Sequence, residues 1–184
     1  MDGIRLYGMA ILLIALAACK KETQPAEEND MELITTIQLD FEHDGSTQKA
    51  TFIWEDADGP GGDEPYSDTI KLKAGTMYSV TVSFWNKTLN PAEDITNEVQ
   101  NESEHHRIYY EPGAATGIIV DGLDDDVSGM PLGVNSVWTT TDVSAGNVLV
   151  VLRHYPEGGK RPGDEINNPA STTDAGAVFE VITN

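Results

Sequence analysis

Apolar and polar residues alternate with a period of two along much of this chain. From Leu33 to Phe41 the odd positions are mostly apolar and the even ones mostly polar, the pattern of a half-buried β-strand. Asp44-Gly45 follows, a strong turn signal, and then the apolar-rich run Ala50 to Trp54, so these two segments predict a hairpin. Further strands are expected at Thr69 to Leu72, Tyr78 to Phe84, Arg107 to Tyr110, Gly117 to Val120, Ser136 to Thr140, Val148 to His154 and Ala177 to Ile182. Clusters of Gly, Pro, Asp and Asn separate them, as turns require. Val148-Leu-Val-Val-Leu152 is apolar at both parities, which predicts a central strand covered on both faces. The pattern predicts a mainly β fold, an immunoglobulin-like β-sandwich of about 7–9 strands, with a β-barrel as the alternative. One inserted helix is expected over an end of the sandwich. Asn90 would cap it, Pro91 would take its first position and Glu93 would complete a capping box; Ile95 and Val99 would form its apolar stripe up to about Glu104. There is no internal repeat.

The N-terminus departs from this pattern. A short polar start with Arg5 leads into the apolar run from Gly8 to Ala18, too short to span a bilayer but suited to a secretory signal. It ends in Leu16-Ala-Ala-Cys19, which resembles the lipobox of bacterial lipoproteins. That resemblance implies a signal peptide over 1–18 and a lipid on Cys19, with palmitate among its acyl chains. Cys19 is the sole cysteine, so after lipidation no thiolate is left for a disulfide, a metal or catalysis. Residues 19–30 are polar, lack aromatics and predict a flexible tether, leaving 31–184 as one domain. The order Lys21-Glu22 resembles the surface-export signal of Bacteroidota lipoproteins, and Asp68-Thr69-Ile70 matches the O-glycosylation pattern of that phylum. The expected location is the outer membrane, facing the periplasm or the cell surface.

Charge narrows the possible partners. Thirty-one acidic against 11 basic residues give a net charge of −20, which disfavours nucleic acid and favours cations. The candidate chemistry lies at the end of the expected helix. Glu102 precedes His105 and His106 by three and four residues, within reach on one helical face, and Glu98 lies one turn earlier. Carboxylate and imidazole together suit zinc or copper, and His154, ending the strand from Val148, would complete the set if the fold joins those ends. Were the helix already over, His105 and His106 would point to opposite faces of a strand and not chelate together. A non-covalent haem on these histidines is a variant of the same idea. Two acidic, glycine-rich loops, one with Asp56 and Asp58 and the other with Asp124 and Asp126, are calcium candidates without the EF-hand spacing, and calcium there would make the chain a surface structural or adhesive module, the alternative to a metal-binding one. Nucleophile elbows, HExxH helices and phosphate-binding glycine loops are absent, so no enzymatic activity is expected.

Several stretches are similar to a family of small Flavobacteriia-type Bacteroidota lipoproteins, often labelled "type 1 periplasmic binding fold superfamily". They are Glu32 to Thr36, the loop from Asp56 to Gly62, Pro91 to Thr96, Glu98 to His105, Pro131 to Gly133 and Leu152 to Pro156. The resemblance implies an accessory role beside a TonB-dependent outer-membrane receptor, and it covers Glu98, Glu102, His105 and His154. The label implies a two-lobed α/β fold, which conflicts with the strand-rich pattern. The chain also departs from the family near its end, reading Ser171-Thr-Thr-Asp174-Ala-Gly176 where relatives carry Gly-Glu-Thr-Asp.

Overall fold

The computed structural model describes residues 33–43, 49–59, 61–156 and 158–184. The expected signal peptide, Cys19, the tether and the Asp44-Gly45 turn lie outside them.

Alternation becomes burial in the strand β5 (Met77–Asn86), where Tyr78, Val80, Val82 and Phe84 are buried while Met77, Ser79 and Thr81 are exposed. The same parity rule places Ile37, Leu39 and Phe41 of β1 (Thr36–Glu42) inward. These two strands pair antiparallel, and β1 also pairs with β2 (Ala50–Glu55), completing the expected hairpin. The first sheet continues outward through β3 (Tyr66–Ser67) on one side, and through β9 (Asn135–Thr140) and β8 (Ile118–Asp121) on the other, in the order β3-β2-β1-β5-β9-β8. A second sheet runs β4-β11-β10-β7, from β4 (Ile70–Leu72), β11 (Thr172–Thr183), β10 (Ser144–His154) and β7 (His106–Pro112). All its pairings are antiparallel except that between β11 and β4. As its two-parity apolar run predicts, β10 is central in this sheet.

The inner faces of both sheets supply one core. Val148, Val150, Leu152, Ile108, Phe179 and Val181 of the second sheet join the inward residues of β1 and β5, all at most 6% exposed. Each such side chain contributes roughly 1.5–3 kcal/mol through burial. Phe41 is a focus of this core: its ring meets those of Phe52, Tyr78 and Trp138 edge-on, at centroid distances of 5.6, 5.8 and 5.2 Å. Two separate sheets make a sandwich, which excludes the closed barrel. With one short helix among the described residues, the fold is equally unlike the two-lobed α/β structure that the family label implies.

The helix differs from expectation. Glu93–Asp94 form a two-residue strand, β6, paired with Trp85–Asn86 where β9 has left the side of β5. Backbone groups there are bound to the sheet, so α1 covers only Thr96–Asn101. The Asp94 carboxylate accepts the Thr96 N–H at 2.9 Å, and Val99 buries its side chain in the core. Because α1 is over by Asn101, the chain has left the helix before it reaches the two adjacent histidines. Among the described residues no helix is long and apolar enough to cross a membrane.

The pairing of β10 with β11 contains one irregularity that matters below. Leu152 lies opposite Ala175, but Arg153 lies opposite Thr173, so Asp174 is an extra residue in β11. This is a β-bulge, which interrupts the ladder and re-aims the extra side chain.

Candidate metal centre

His106 opens β7, His154 ends β10, and the two are direct partners across the strands. Partners share a face of the sheet. That face is the core face, because Ile108 and Leu152, two residues along each strand, are fully buried. The two imidazoles therefore meet at one end of the core, with ring centroids 4.8 Å apart. The bulge adds the third member. Strict alternation with the buried Ala175 and Ala177 would send Asp174 outward, yet its carboxylate lies among the histidines. Its Oδ2 is 3.5 Å from His106 Nε2 and 4.0 Å from His154 Nδ1. The three side chains are 1%, 7% and 3% exposed for His106, His154 and Asp174, and their ligand atoms all fall within 4.8 Å of one another.

The hydrogen bonding around the cluster suits a cation. His106 Nδ1 lies 3.3 Å from the Glu102 carbonyl, which can only accept, so Nδ1 carries a proton; in the neutral ring Nε2 then presents its lone pair toward Asp174. Burial, reinforced by His106, depresses the pKa of His154 despite the opposing charges of Asp174 and Glu102, and so favours the neutral, ligating form. Asp174 is the most telling. Both its oxygens are buried, and among the described residues no donor hydrogen-bonds either of them. A buried carboxylate costs several kcal/mol unless charge or hydrogen bonds compensate it. Four-coordinate bonds of 2.0–2.1 Å place ligand atoms about 3.3 Å apart. The two Asp174–histidine separations, 3.5 and 4.0 Å, need to close by a fraction of an ångström, and the longest separation in the set, up to 4.8 Å, by about 1.5 Å.

Of the four ligands expected from sequence, only His154 belongs to this cluster. Glu98 and Glu102 have exposed side chains, and Glu102 contributes its carbonyl instead. His105 is half-buried beside the cluster, its ring centroid 6.4 Å from that of His154, with Nδ1 2.9 Å from the Tyr155 carbonyl. The expected helical relation between Glu102 and the two histidines does not exist, because the helix has ended. His106 enters the cluster through strand pairing. Asp174 carried no signal in the alternation, since its parity is that of an outward position.

The acidic loops use their carboxylates internally. Asp56 accepts the N–H of Gly59 and Asp58 that of Asp63. Asp124 Oδ1 accepts the N–H groups of Gly133 and Asn135, and its Oδ2 accepts from the Asn135 side chain. Asp126 Oδ1 takes the N–H groups of Ser128 and Met130, while its Oδ2 lies 2.8 Å from Lys160 Nζ, both side chains being 1% exposed. These are turn-closing contacts, and the Asp126 site already contains its cation. Among the described residues these aspartates form no group of three acidic or imidazole side chains close enough to share an ion, so the geometry lends the calcium expectation no support.

No protein-family model matches the chain, and no curated protein or solved structure matches it.

Proposed function

We propose that this chain is a non-enzymatic, lipid-anchored β-sandwich that captures one divalent transition-metal ion between His106, His154 and Asp174. The observation that carries the reading is the Asp174 carboxylate, buried, without a hydrogen-bond donor among the described residues, and facing two imidazoles. A cation at the centre of the three supplies the missing compensation. Two imidazole nitrogens and one carboxylate oxygen suit zinc or copper, whereas calcium wants six to eight oxygens. Haem fits less well than a bare ion, because the three donors converge on one point between paired strands. Three protein ligands leave at least one coordination position for water or a donor from outside. Lipidation of Cys19 would hold the body at the outer membrane, and the family resemblance supports a receptor of the TonB-dependent type as the recipient of the ion.

Isothermal titration of the mature chain with zinc and with copper tests this. One ion per chain is expected, with binding lost in His106→Ala and in Asp174→Ala. Wild-type protein that takes up neither metal, or variants that bind as well as wild type, would refute the assignment.

A further inference from the structure

His105 lies outside the buried cluster but is prepared in the same way as His106. Each imidazole has its Nδ1 held by a backbone carbonyl, that of Tyr155 for His105 and that of Glu102 for His106. A carbonyl fixes the proton on Nδ1, so in both rings Nε2 is left as the atom that can ligate. The anchor under His105 is firm. The Tyr155 N–H returns a 2.8 Å bond to the His105 carbonyl, so the two residues bond each other twice. Tyr155 is itself 2% exposed, and its hydroxyl is 2.6 Å from that of Tyr109. A surface histidine with only a solvent role has no need of such fixing.

Position completes the argument. Exposure falls from half-buried His105 to His154 and His106, so of the three His105 is the most accessible to an ion from solvent. With a metal–nitrogen bond of 2.0–2.1 Å, a bound ion lies about 3.2 Å from the imidazole centroid. The His105 and His154 centroids are 6.4 Å apart, about twice that, so one ion can bridge the two rings during an exchange when their ligating nitrogens turn toward each other. The same spacing is too long for His105 to join the compact set of three without moving, and its Nδ1 anchor resists that movement.

We propose that His105 is a transfer ligand, which takes the incoming metal ion at Nε2 and passes it to the buried His106, His154 and Asp174 by stepwise ligand exchange. This rests on the metal-binding reading above. No bond is made or broken except metal–ligand bonds, and the ion keeps its oxidation state throughout. Such a ligand changes the barrier to loading and unloading but not the end states.

The test is kinetic. His105→Asn retains an amide N–H near the position of Nδ1, so the Tyr155 anchor survives while Nε2 is removed. Zinc loading of the mature protein, and zinc extraction by excess chromophoric chelator, are followed by stopped flow, with affinity measured separately by titration. Both rates are expected to fall about tenfold or more in His105→Asn, with affinity kept within about threefold of wild type. Rates matching wild type would overturn the proposal, as would a loss of affinity as large as the loss of rate, which would make His105 a resident ligand. Failure of the wild-type protein to bind zinc at all would instead sink the metal-binding reading, so the two failures are distinguishable.

Discussion

Replacing Asp174 with asparagine should make the metal-free protein more stable and the metal-supplied protein less so. The substitution keeps the shape of the side chain and removes its charge. In the free protein that side chain is buried, 3% exposed, and among the described residues it receives no hydrogen bond. His154 is biased toward the neutral form and offers little compensation. Removing an uncompensated buried charge recovers part of a penalty of several kcal/mol, and the asparagine amide still needs partners, so a net gain of about 1–2 kcal/mol is expected. For a body of this size that corresponds to a rise of roughly 2–8 °C in Tm. Wild-type protein should instead gain from metal, by about 2.7 kcal/mol when the free ion is at a hundred times its Kd. Thermal melts followed by circular dichroism, with chelator and with zinc, should therefore cross: the variant higher in chelator, wild type higher in zinc. A variant that loses about 3–5 kcal/mol in chelator would refute the reasoning, because that is the cost of breaking a buried ion pair with a protonated histidine. Equal responses of both proteins to zinc would refute it as well.

Other consequences can be checked alongside. Asp126→Ala strands the Lys160 ammonium in a buried site and should cost about 3–5 kcal/mol in urea unfolding, while Asp126→Leu combined with Lys160→Met should cost less than the single change. Burial pushes the Asp126 carboxyl up, but the Lys160 ammonium and the N–H groups of Met130 and Ser128 pull it down further, leaving it below the ordinary 3.8. A depressed carboxyl stabilises the fold fully above the ordinary value and ceases to do so as pH falls through the lowered one. Wild type should accordingly show a steeper loss of stability below 3.8 than Asp126→Asn, measured as the difference between the two pH profiles. Calcium at millimolar concentration should leave Tm unchanged, and a clear rise abolished by Asp124→Asn would contradict the turn-closing role of that carboxylate. Phe41→Ala, which empties the centre of four packed rings, should cost about 3–5 kcal/mol in the same unfolding assay.

The strands were legible wherever burial is one-sided, because a side-chain period of two writes itself directly into polarity. Leu33 to Phe41 and Tyr78 to Phe84 are the plainest cases, and Val148 to Leu152 announced a central strand by abandoning the period. The two-residue strands at Tyr66–Ser67 and Glu93–Asp94 are too short to carry any period. Asn90, Pro91 and Glu93 have the composition of a helix start, but pairing of Glu93 and Asp94 with β5 outweighs that local preference. At the site, the possibility that the end of the helix and the end of the strand from Val148 would meet was open from sequence, and the register of β7 on β10 joins them at His106 and His154. Choosing His105 over His106 depended on where the helix stopped, a boundary decided by tertiary pairing. Asp174 was illegible for a different reason. Its parity is that of an outward residue, and only the slip in register between Leu152 and Arg153 turns it in.

That slip has an evolutionary consequence. One residue more or less at the start of β11 decides whether a carboxylate joins the two imidazoles, while everything from Ala175 onward keeps its place against β10. Gain or loss of the acidic donor is thus a single-codon insertion or deletion away, with the hydrophobic scaffold undisturbed.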